Sequence, residues 1–243
     1  MSTGDSVSTN IHRSAWRQFV TLFIKDIRQE LRTREMLSSM GVYAVLVLVI
    51  FGAALSQASA QLDILSLSGG LVWAMVTFTS LLGLNRSFQA EKEESSLEGL
   101  LLVPMDRSVI FLAKSASNLV FLLAVELIAC PLYYFFFLSG LPVSDSLALL
   151  LPLFLAGSVG IAAVGTLLAT ITSSARSKDI LLAILFIPAI FPLLYAVVSA
   201  SSVALVGGEG VMAVYLPGLA MALGYDVIMV SVSWLLYGFV ISS

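Results

Sequence analysis

Long apolar stretches alternate with short polar ones along this chain. A helix needs about 20 mostly apolar residues to cross a bilayer. Six stretches approach that length: 38–56, 69–88, 119–138, 147–172, 180–203 and 216–240. The pattern predicts six transmembrane helices, of which the fifth is expected to bend at Pro188 and Pro192.

The start of the sixth span is ambiguous in the sequence. Pro217 and Gly218 interrupt the stretch 211–224. That stretch is interpreted either as the beginning of the span or as a short re-entrant or surface helix, ahead of a span that starts near Tyr225.

The region before the first span is amphipathic. Residues 1–10 are polar and predict a loose tail, and residues 13–36 predict a helix. Its apolar residues recur at helical spacing: Trp16, Val20, Phe23, Ile27 and Leu31, widened by Phe19 and Ile24. A basic complement accompanies them: Arg13, Arg17, Lys25, Arg28, Arg32 and Arg34. Such a helix lies in the membrane interface. The sequence therefore divides into 1–37, a tail with an interfacial helix, and 38–243, the six-span domain.

The stretch 84–118 is the main polar interruption. Ser95 and Glu98 fit the S-x-x-E capping box, which predicts a short helix that starts at residue 96 or 97. Pro104 predicts that this helix ends near Val103, and Asp106 is a suitable cap for the next helix. Leu97, Leu100 and Leu101 fall on one side of the short helix, which must be covered by a partner protein or by the membrane surface.

Composition supports a multi-pass membrane protein. The hydrophobic fraction is 59% and the charged fraction 11%, whereas soluble domains usually hold about 25% charged residues. All 12 Lys and Arg residues lie in the N-terminal arm, in 84–118 or in 173–179. The connections after spans one, three and five contain none, so the positive-inside rule predicts that both termini are cytosolic.

A few polar residues are expected inside the bilayer. On span three, Ser115, Asn118, Leu122, Glu126 and Tyr133 fall on one side of the helix. Intramembrane ionisable groups normally face protein or a wet cavity. Two interpretations stay open: a polar strip that lines a path or gates the bundle, or a protonated Glu126 that only bonds to a neighbouring helix. Asp226 is similar, unless it lies at the outer end of span six.

Span four carries small residues at four-residue steps. The series is Ser158, Ala162, Thr166 and Thr170, with Gly157, Gly160 and Gly165 nearby. Small residues allow close helix–helix contact, so the series predicts packing rather than a binding site.

Several kinds of chemistry are missing from the sequence. It contains no Walker A loop, no G-x-S-x-G and no H-E-x-x-H. With one histidine, His12, and one cysteine, Cys130, most catalytic triads and metal sites cannot be assembled. The sequence predicts neither an enzyme nor a nucleic-acid partner.

Several separate stretches resemble one family. They are 25–35 (KDIRQELRTRE), 83–88 (GLNRSF), 97–114 (LEGLLLVPMDRSVIFLAK), 163–168 (AVGTLL), the proline-containing 180–192 and 223–227 (LGYDV). In this order they resemble CcmB, the B subunit of the cytochrome c maturation system, and the resemblance runs from residue 25 to about 237.

The resemblance implies an all-α, ABC-2-like permease subunit of the cytoplasmic (inner) membrane. Its expected partners are a CcmA-like ATPase, CcmC-like and CcmD-like membrane subunits, a CcmE-like haem chaperone and the lipid bilayer. The expected activity is haem export, or release of the haem-loaded chaperone, driven by the ATPase. Haem iron is usually held by His, Met, Cys or Tyr, and this chain offers no intramembrane histidine. No tightly bound cofactor is expected, and haem is expected as a transported or handled ligand.

A permease without a nucleotide site must receive force through a cytosolic surface. The short helix near 97–103 is the candidate coupling helix, with Glu94, Glu98, Leu100 and Leu101 as expected ATPase contacts. Three alternatives stay open: an ABC-2-like exporter of lipid, polysaccharide or drug, a scaffold that assembles the maturation complex, and a proton-coupled carrier that uses Glu126.

Overall fold

Helices make up the described part of the chain. The computed structural model describes residues 4–56, 64–93, 107–139, 147–173, 175 and 177–240, with the backbone alone for 4–14, 88–93, 147 and 239–240. These residues form seven α-helices: α1 (Gly4–Thr33), α2 (Glu35–Ser56), α3 (Ile64–Glu93), α4 (Arg107–Tyr133), α5 (Leu147–Thr172), α6 (Lys178–Val206) and α7 (Val211–Val240). α4 continues into a π-helical turn, Tyr134–Leu138.

Six of these helices, α2 to α7, are long and apolar enough to cross a membrane. They coincide with the predicted spans, so the all-α, six-span architecture is confirmed for the described residues. α7 is one continuous helix that contains Pro217. The alternative of a separate short helix ahead of Tyr225 is therefore wrong. α6 likewise continues through Pro188 and Pro192.

The N-terminal arm differs from its prediction at both ends. α1 begins at Gly4, so the prediction of a loose tail over residues 1–10 is wrong from Gly4 onwards. The helix ends at Thr33, and α2 begins at Glu35, three positions before the predicted start of the first span. The polar character of residues 4–10 concealed the helix because these residues carry no apolar periodicity.

Arg34 joins α1 to α2 in a left-handed conformation, with φ of 56°. Its amide donates to the carbonyl of Glu30 at 2.7 Å, which closes α1. The Glu30 carboxylate in turn accepts from the amide of Leu37 at 2.8 Å, and so satisfies one of the free amides that begin α2. One glutamate therefore holds both sides of a single-residue joint, and α1 cannot swing freely about α2.

Close packing centres on α5, which contacts α3, α4, α6 and α7. Gly157 lies against Trp73 of α3, so close that an added Cβ would stand 2.1 Å from the indole ring. Gly165 lies similarly against Leu84, at 2.3 Å. The predicted series Ser158, Ala162, Thr166 and Thr170 is buried along its whole length, which confirms the interpretation that these small residues serve helix packing.

The helix ends that carry Arg34, Arg86, Arg107 and Lys178 form what we call the basic end of the bundle. α1 packs here against α4. The Nζ of Lys114 lies 3.1 Å from a carboxylate oxygen of Asp26, and both side chains are 9% exposed. Beside this pair, Leu22 belongs to an apolar cluster with Phe111 and Tyr237. α1 is thus part of the fold, anchored by apolar contacts around a buried ion pair.

The contact between α5 and Trp73 generates the first prediction. Gly157→Ala places a methyl group where the indole now lies, and overpacking of this kind typically costs about 1–3 kcal/mol. We expect the purified protein in detergent to lose thermal stability. Gly224→Ala is the matched control, because nothing lies within 4 Å of the added Cβ in that position. Equal melting temperatures for the two variants would contradict the close contact.

The buried ion pair generates the second prediction. Lys114→Met removes the cation and leaves the Asp26 carboxylate buried against α4, a change that typically costs about 3–5 kcal/mol. We expect a large fall in melting temperature, and partial recovery in the double variant Asp26→Asn/Lys114→Met. Lys178→Met, at a half-buried residue of the same end, is the control. A single variant as stable as the control would show that the pair does not hold α1.

Candidate functional site

Two hydrogen bonds between polar side chains cross the interface of α4 and α5. The Asn118 amide donates to the Thr166 hydroxyl at 2.9 Å, and the Ser158 hydroxyl donates to the Glu126 carboxyl at 2.7 Å. Asn118 and Glu126 are about two turns apart on α4, and Ser158 and Thr166 are equally spaced on α5. Because the two helices run antiparallel with this equal spacing, both hydrogen bonds form in one register of α4 against α5.

Glu126 is a buried acid on α4. Its side chain is 4% exposed, and Ser158 satisfies one carboxyl oxygen. The other oxygen, Oε2, is buried without a hydrogen-bond partner among the described residues. An intramembrane acid of this kind is expensive and marks a functional candidate. The structure thus supplies the neighbouring-helix contact that one interpretation required, while the other interpretation, a polar strip that lines a path or gates the bundle, stays a prediction.

The remaining members of the predicted strip lie at different depths in the protein. Tyr133 is 3% exposed, and its hydroxyl lies beside the Ser68 side chain of α3. Ser115 is only half-buried, near the basic end. The strip is therefore one inward face of α4, but it divides between α5 and α3 and does not converge on one point.

Asp226 forms a second buried acidic position, on α7. It is 7% exposed, and its Oδ1 has no hydrogen-bond partner among the described residues. The carboxyl lies against Gly160 of α5, where an added Cβ would stand 2.4 Å from Oδ1. The neighbouring Tyr225 hydroxyl donates to the carbonyl of Ala189 on α6 at 2.7 Å. Asp226 therefore lies between packed helices, and the prediction that left open a place at the outer end of the span is corrected.

A small pocket opens between α2, α3, α4 and α5. Its wall is mostly apolar, with Asn118 and Ser80 as the polar members, and the lining consists of Met36, Met40, Ser80, Gly83, Leu84, Asn118, Leu122, Ile161 and Ala162. The pocket brings the Asn118 side chain of the predicted strip to an interior surface.

The predicted coupling residues lie outside the described part of the chain. α3 ends at Glu93 and α4 begins at Arg107, so Glu94, Glu98, Leu100 and Leu101 stay predictions. The structure does describe α4, the helix that follows them. Its first turn is fixed by Arg107, whose guanidinium donates to the carbonyl of Gly238 on α7 at 2.9 Å.

The described residues form no cluster of the usual metal ligands. Among them, no group of three His, Cys, Asp or Glu side chains comes together. Cys130 is half-buried. The polar side chains that meet between α4 and α5 carry hydroxyl, amide and carboxyl groups.

Sequence reasoning missed the Asp26–Lys114 pair. Lys114 was counted with the polar stretch 84–118, and Asp26 was passed over in a basic helix. A signal existed, because Leu22, Asp26 and Glu30 recur at four-residue steps on one side of α1. That side is the one turned to the bundle. The partners Ser158 and Thr166 were singled out, but for packing alone.

The comparison with known proteins covers most of the chain. The sequence matches the CcmB protein family over residues 17–237. It is also 30% identical over 176 residues to Heme exporter protein B of Pseudomonas aeruginosa, an alignment that spans 72% of this chain and 77% of that protein. The matched region includes the end of α1, all six spans and the segment between α3 and α4. The chain belongs to the CcmB family.

Proposed function

We propose that this chain is the membrane permease subunit of an ABC transporter complex for cytochrome c biogenesis. It couples ATP hydrolysis by a separate, CcmA-like ATPase to haem export or to release of a haem-loaded, CcmE-like chaperone. The observation that carries the proposal is family membership across residues 17–237, together with a relative named Heme exporter protein B. The six apolar helices supply the membrane domain that such a subunit requires.

The placement of charge supports the proposed orientation. Every Lys and Arg in the described helices belongs to α1 or to the basic end. With the basic end in the cytosol of the cytoplasmic (inner) membrane, both termini and the segment between α3 and α4 face the ATPase. CcmC-like and CcmD-like subunits complete the complex within the bilayer.

Haem enters this proposal as cargo. The sequence holds one histidine, His12, which precedes the first span, and tight axial ligation usually draws on histidine or on paired donors. Partner subunits therefore hold the haem iron, and this chain contributes movement. The chain performs no catalysis of its own, since the ATP-binding motif belongs to the partner.

The α4 helix is the element suited to carry that movement. It begins at Arg107, directly after the proposed coupling segment, and its inward face then meets α1, α5 and α3 in turn. Because a helix moves as a rigid body, a push on its first turn reaches the Asn118 and Glu126 contacts together. This links the cytosolic surface to the polar groups inside the bilayer.

Deletion and complementation test the proposal as a whole. A deletion strain should lose c-type cytochromes and regain them with this gene on a plasmid, and the tagged chain should copurify with a separate ATPase. Normal cytochrome c content in the deletion strain would instead favour an exporter of another substrate. Full function with a catalytically dead ATPase would favour a scaffold.

Reversal of charge in the proposed coupling segment gives a sharper prediction. Glu94→Lys/Glu98→Lys should reduce ATPase copurification and cytochrome c content by about tenfold or more, because the proposal assigns both acids to the ATPase contact and two reversed charges there repel the partner. Glu209→Lys is the control, since Glu209 is exposed in the α6–α7 connection at the opposite end of the bundle. If the double variant assembles and functions normally, these residues do not form the contact.

Glu126 is tested by keeping its shape while removing its acidity. We expect Glu126→Gln to retain cytochrome c content within about twofold, because its amide oxygen can still accept from Ser158. Glu126→Lys should fail to accumulate, since a cation at this depth costs about 2.5–3.5 kcal/mol or more. A stable, assembled but inactive Glu126→Gln protein would show that the proton of the carboxyl is itself required, as in a proton-coupled carrier.

A further inference from the structure

Three sides of α1 have different surroundings. The side with Leu22, Asp26 and Glu30 is buried against the bundle. Three residues of the predicted apolar stripe are exposed, Trp16 by 67%, Leu31 by 59% and Ile24 by 38%, whereas its other members are half-buried. At 3.6 residues per turn, these three residues lie about 130° around the helix from the buried side. The bundle therefore holds α1 without covering this open apolar side.

The third side of α1 is cationic. Arg17, Arg28 and Arg32 are exposed, and none of them is paired with a carboxylate within the described part of the chain. They lie about 80° beyond the open apolar side and about 150° from the buried one. Exposed guanidinium groups flank an exposed apolar stripe, which is the arrangement found in helices that lie on anionic membranes.

The level of the membrane is fixed by the next helix. α2 follows after the single residue Arg34, and its own exposed apolar residues, Val42, Val45 and Leu46 among them, begin about two turns further on. These residues face acyl chains if α2 spans the bilayer. Since Glu30 clamps the joint from both sides, α1 leaves the span at the headgroup level. The open apolar side of α1 is therefore covered by the same bilayer that α2 spans.

We propose that α1 is a binding site for anionic phospholipids. Trp16, Ile24 and Leu31 insert at the boundary between headgroups and acyl chains, and the arginines Arg17, Arg28 and Arg32 hold the phosphate groups.

The bound lipid also completes the packing of α1. Asp26 and Lys114 fasten one side of the helix to α4 at 3.1 Å, while lipid covers the opposite side. α1 is then held between α4 and the leaflet, next to the point where α4 begins. Anionic lipid is thereby a structural partner of the basic end and not only a solvent.

Guanidinium groups suit phosphate because their planar fork can bind two oxygens at once. Each Lys or Arg near an anionic surface typically strengthens binding severalfold. Loss of two arginines should therefore weaken phosphatidylglycerol binding by about tenfold or more, and should leave the binding of zwitterionic phosphatidylcholine nearly unchanged.

The test uses the full chain in detergent, titrated with phosphatidylglycerol or phosphatidylcholine, with bound lipid counted by native mass spectrometry. The wild-type protein should prefer phosphatidylglycerol, and Arg17→Gln/Arg28→Gln should lose that preference. Arg86→Gln/Lys178→Gln is the matched control, because it removes the same charge from the same end of the bundle but not from α1. It should change the affinity by less than about twofold.

Two further variants separate chemistry from folding. Arg17→Lys/Arg28→Lys keeps the charge and should recover most of the phosphatidylglycerol affinity, whereas Trp16→Ala should weaken the binding of both lipids. Equal binding of the two lipids by the wild-type protein would overturn the proposal, as would an equal loss in the matched control. Binding of an acidic protein or nucleic acid to α1 in place of lipid would overturn it as well. These measurements need no transport activity, so they are independent of the proposed function.

Discussion

The lack of a side chain at three glycines of α5 is the constraint that the rest of the bundle depends on. Inside a bilayer, helices gain little from the hydrophobic effect, and close contact between backbones must hold them together. Gly157, Gly160 and Gly165 let Trp73, Leu193 and Leu84 approach the α5 backbone from α6 and from two levels of α3. The neighbouring helices are thus positioned by contact with one element, and the burial of α5 exceeds that of every other span in the described residues.

The same close contact explains where the polar side chains lie. Short hydroxyl groups reach a neighbouring helix only when the backbones are near, and Ser158 and Thr166 each directly follow a glycine of α5. Each therefore meets a longer polar side chain from α4, Glu126 and Asn118. The Trp73 indole uses its position over Gly157 in a similar way, since its Nε1 donates to Ser201 of α6 at 2.9 Å. The glycines that allow close packing of the helices therefore also allow the polar contacts between them.

The sequence predicted the elements well because span length and hydropathy are local properties. Six apolar stretches became six helices, and the small-residue series of α5 lies in the interior. The α1–α2 joint was misplaced because Arg34 adopts a left-handed conformation without being a glycine or being followed by a proline. The continuity of α7 through Pro217 was ambiguous because one missing amide weakens a helix without ending it, and packing decides the outcome.

The site was predictable only in part, because partners across helices are not local properties. The inward face of α4 followed from its periodicity, yet nothing in the sequence assigns Asn118 to Thr166 or Glu126 to Ser158. The pairing of Asp26 with Lys114 depends on the register of α1 against α4, which the closure of the whole bundle sets. The coupling contacts of Glu94, Glu98, Leu100 and Leu101 depend on a second protein and stay predictions.

In the proposed orientation, these contacts make α4 a connection between the cytosolic surface and the bilayer interior. Its first turns are tied to α7 through Arg107 and to α1 through Lys114, and its middle is tied to α5 through Asn118 and Glu126. A displacement of α4 that enters at Arg107 must therefore disturb the ion pair with α1 together with the intramembrane contacts. α1 is held on its other side by the leaflet in our proposal, so it resists that displacement. If the proposed ATPase acts on the segment before Arg107, the stiffness of the basic end determines how much of that movement reaches the buried carboxyl of Glu126 rather than tilting the whole helix.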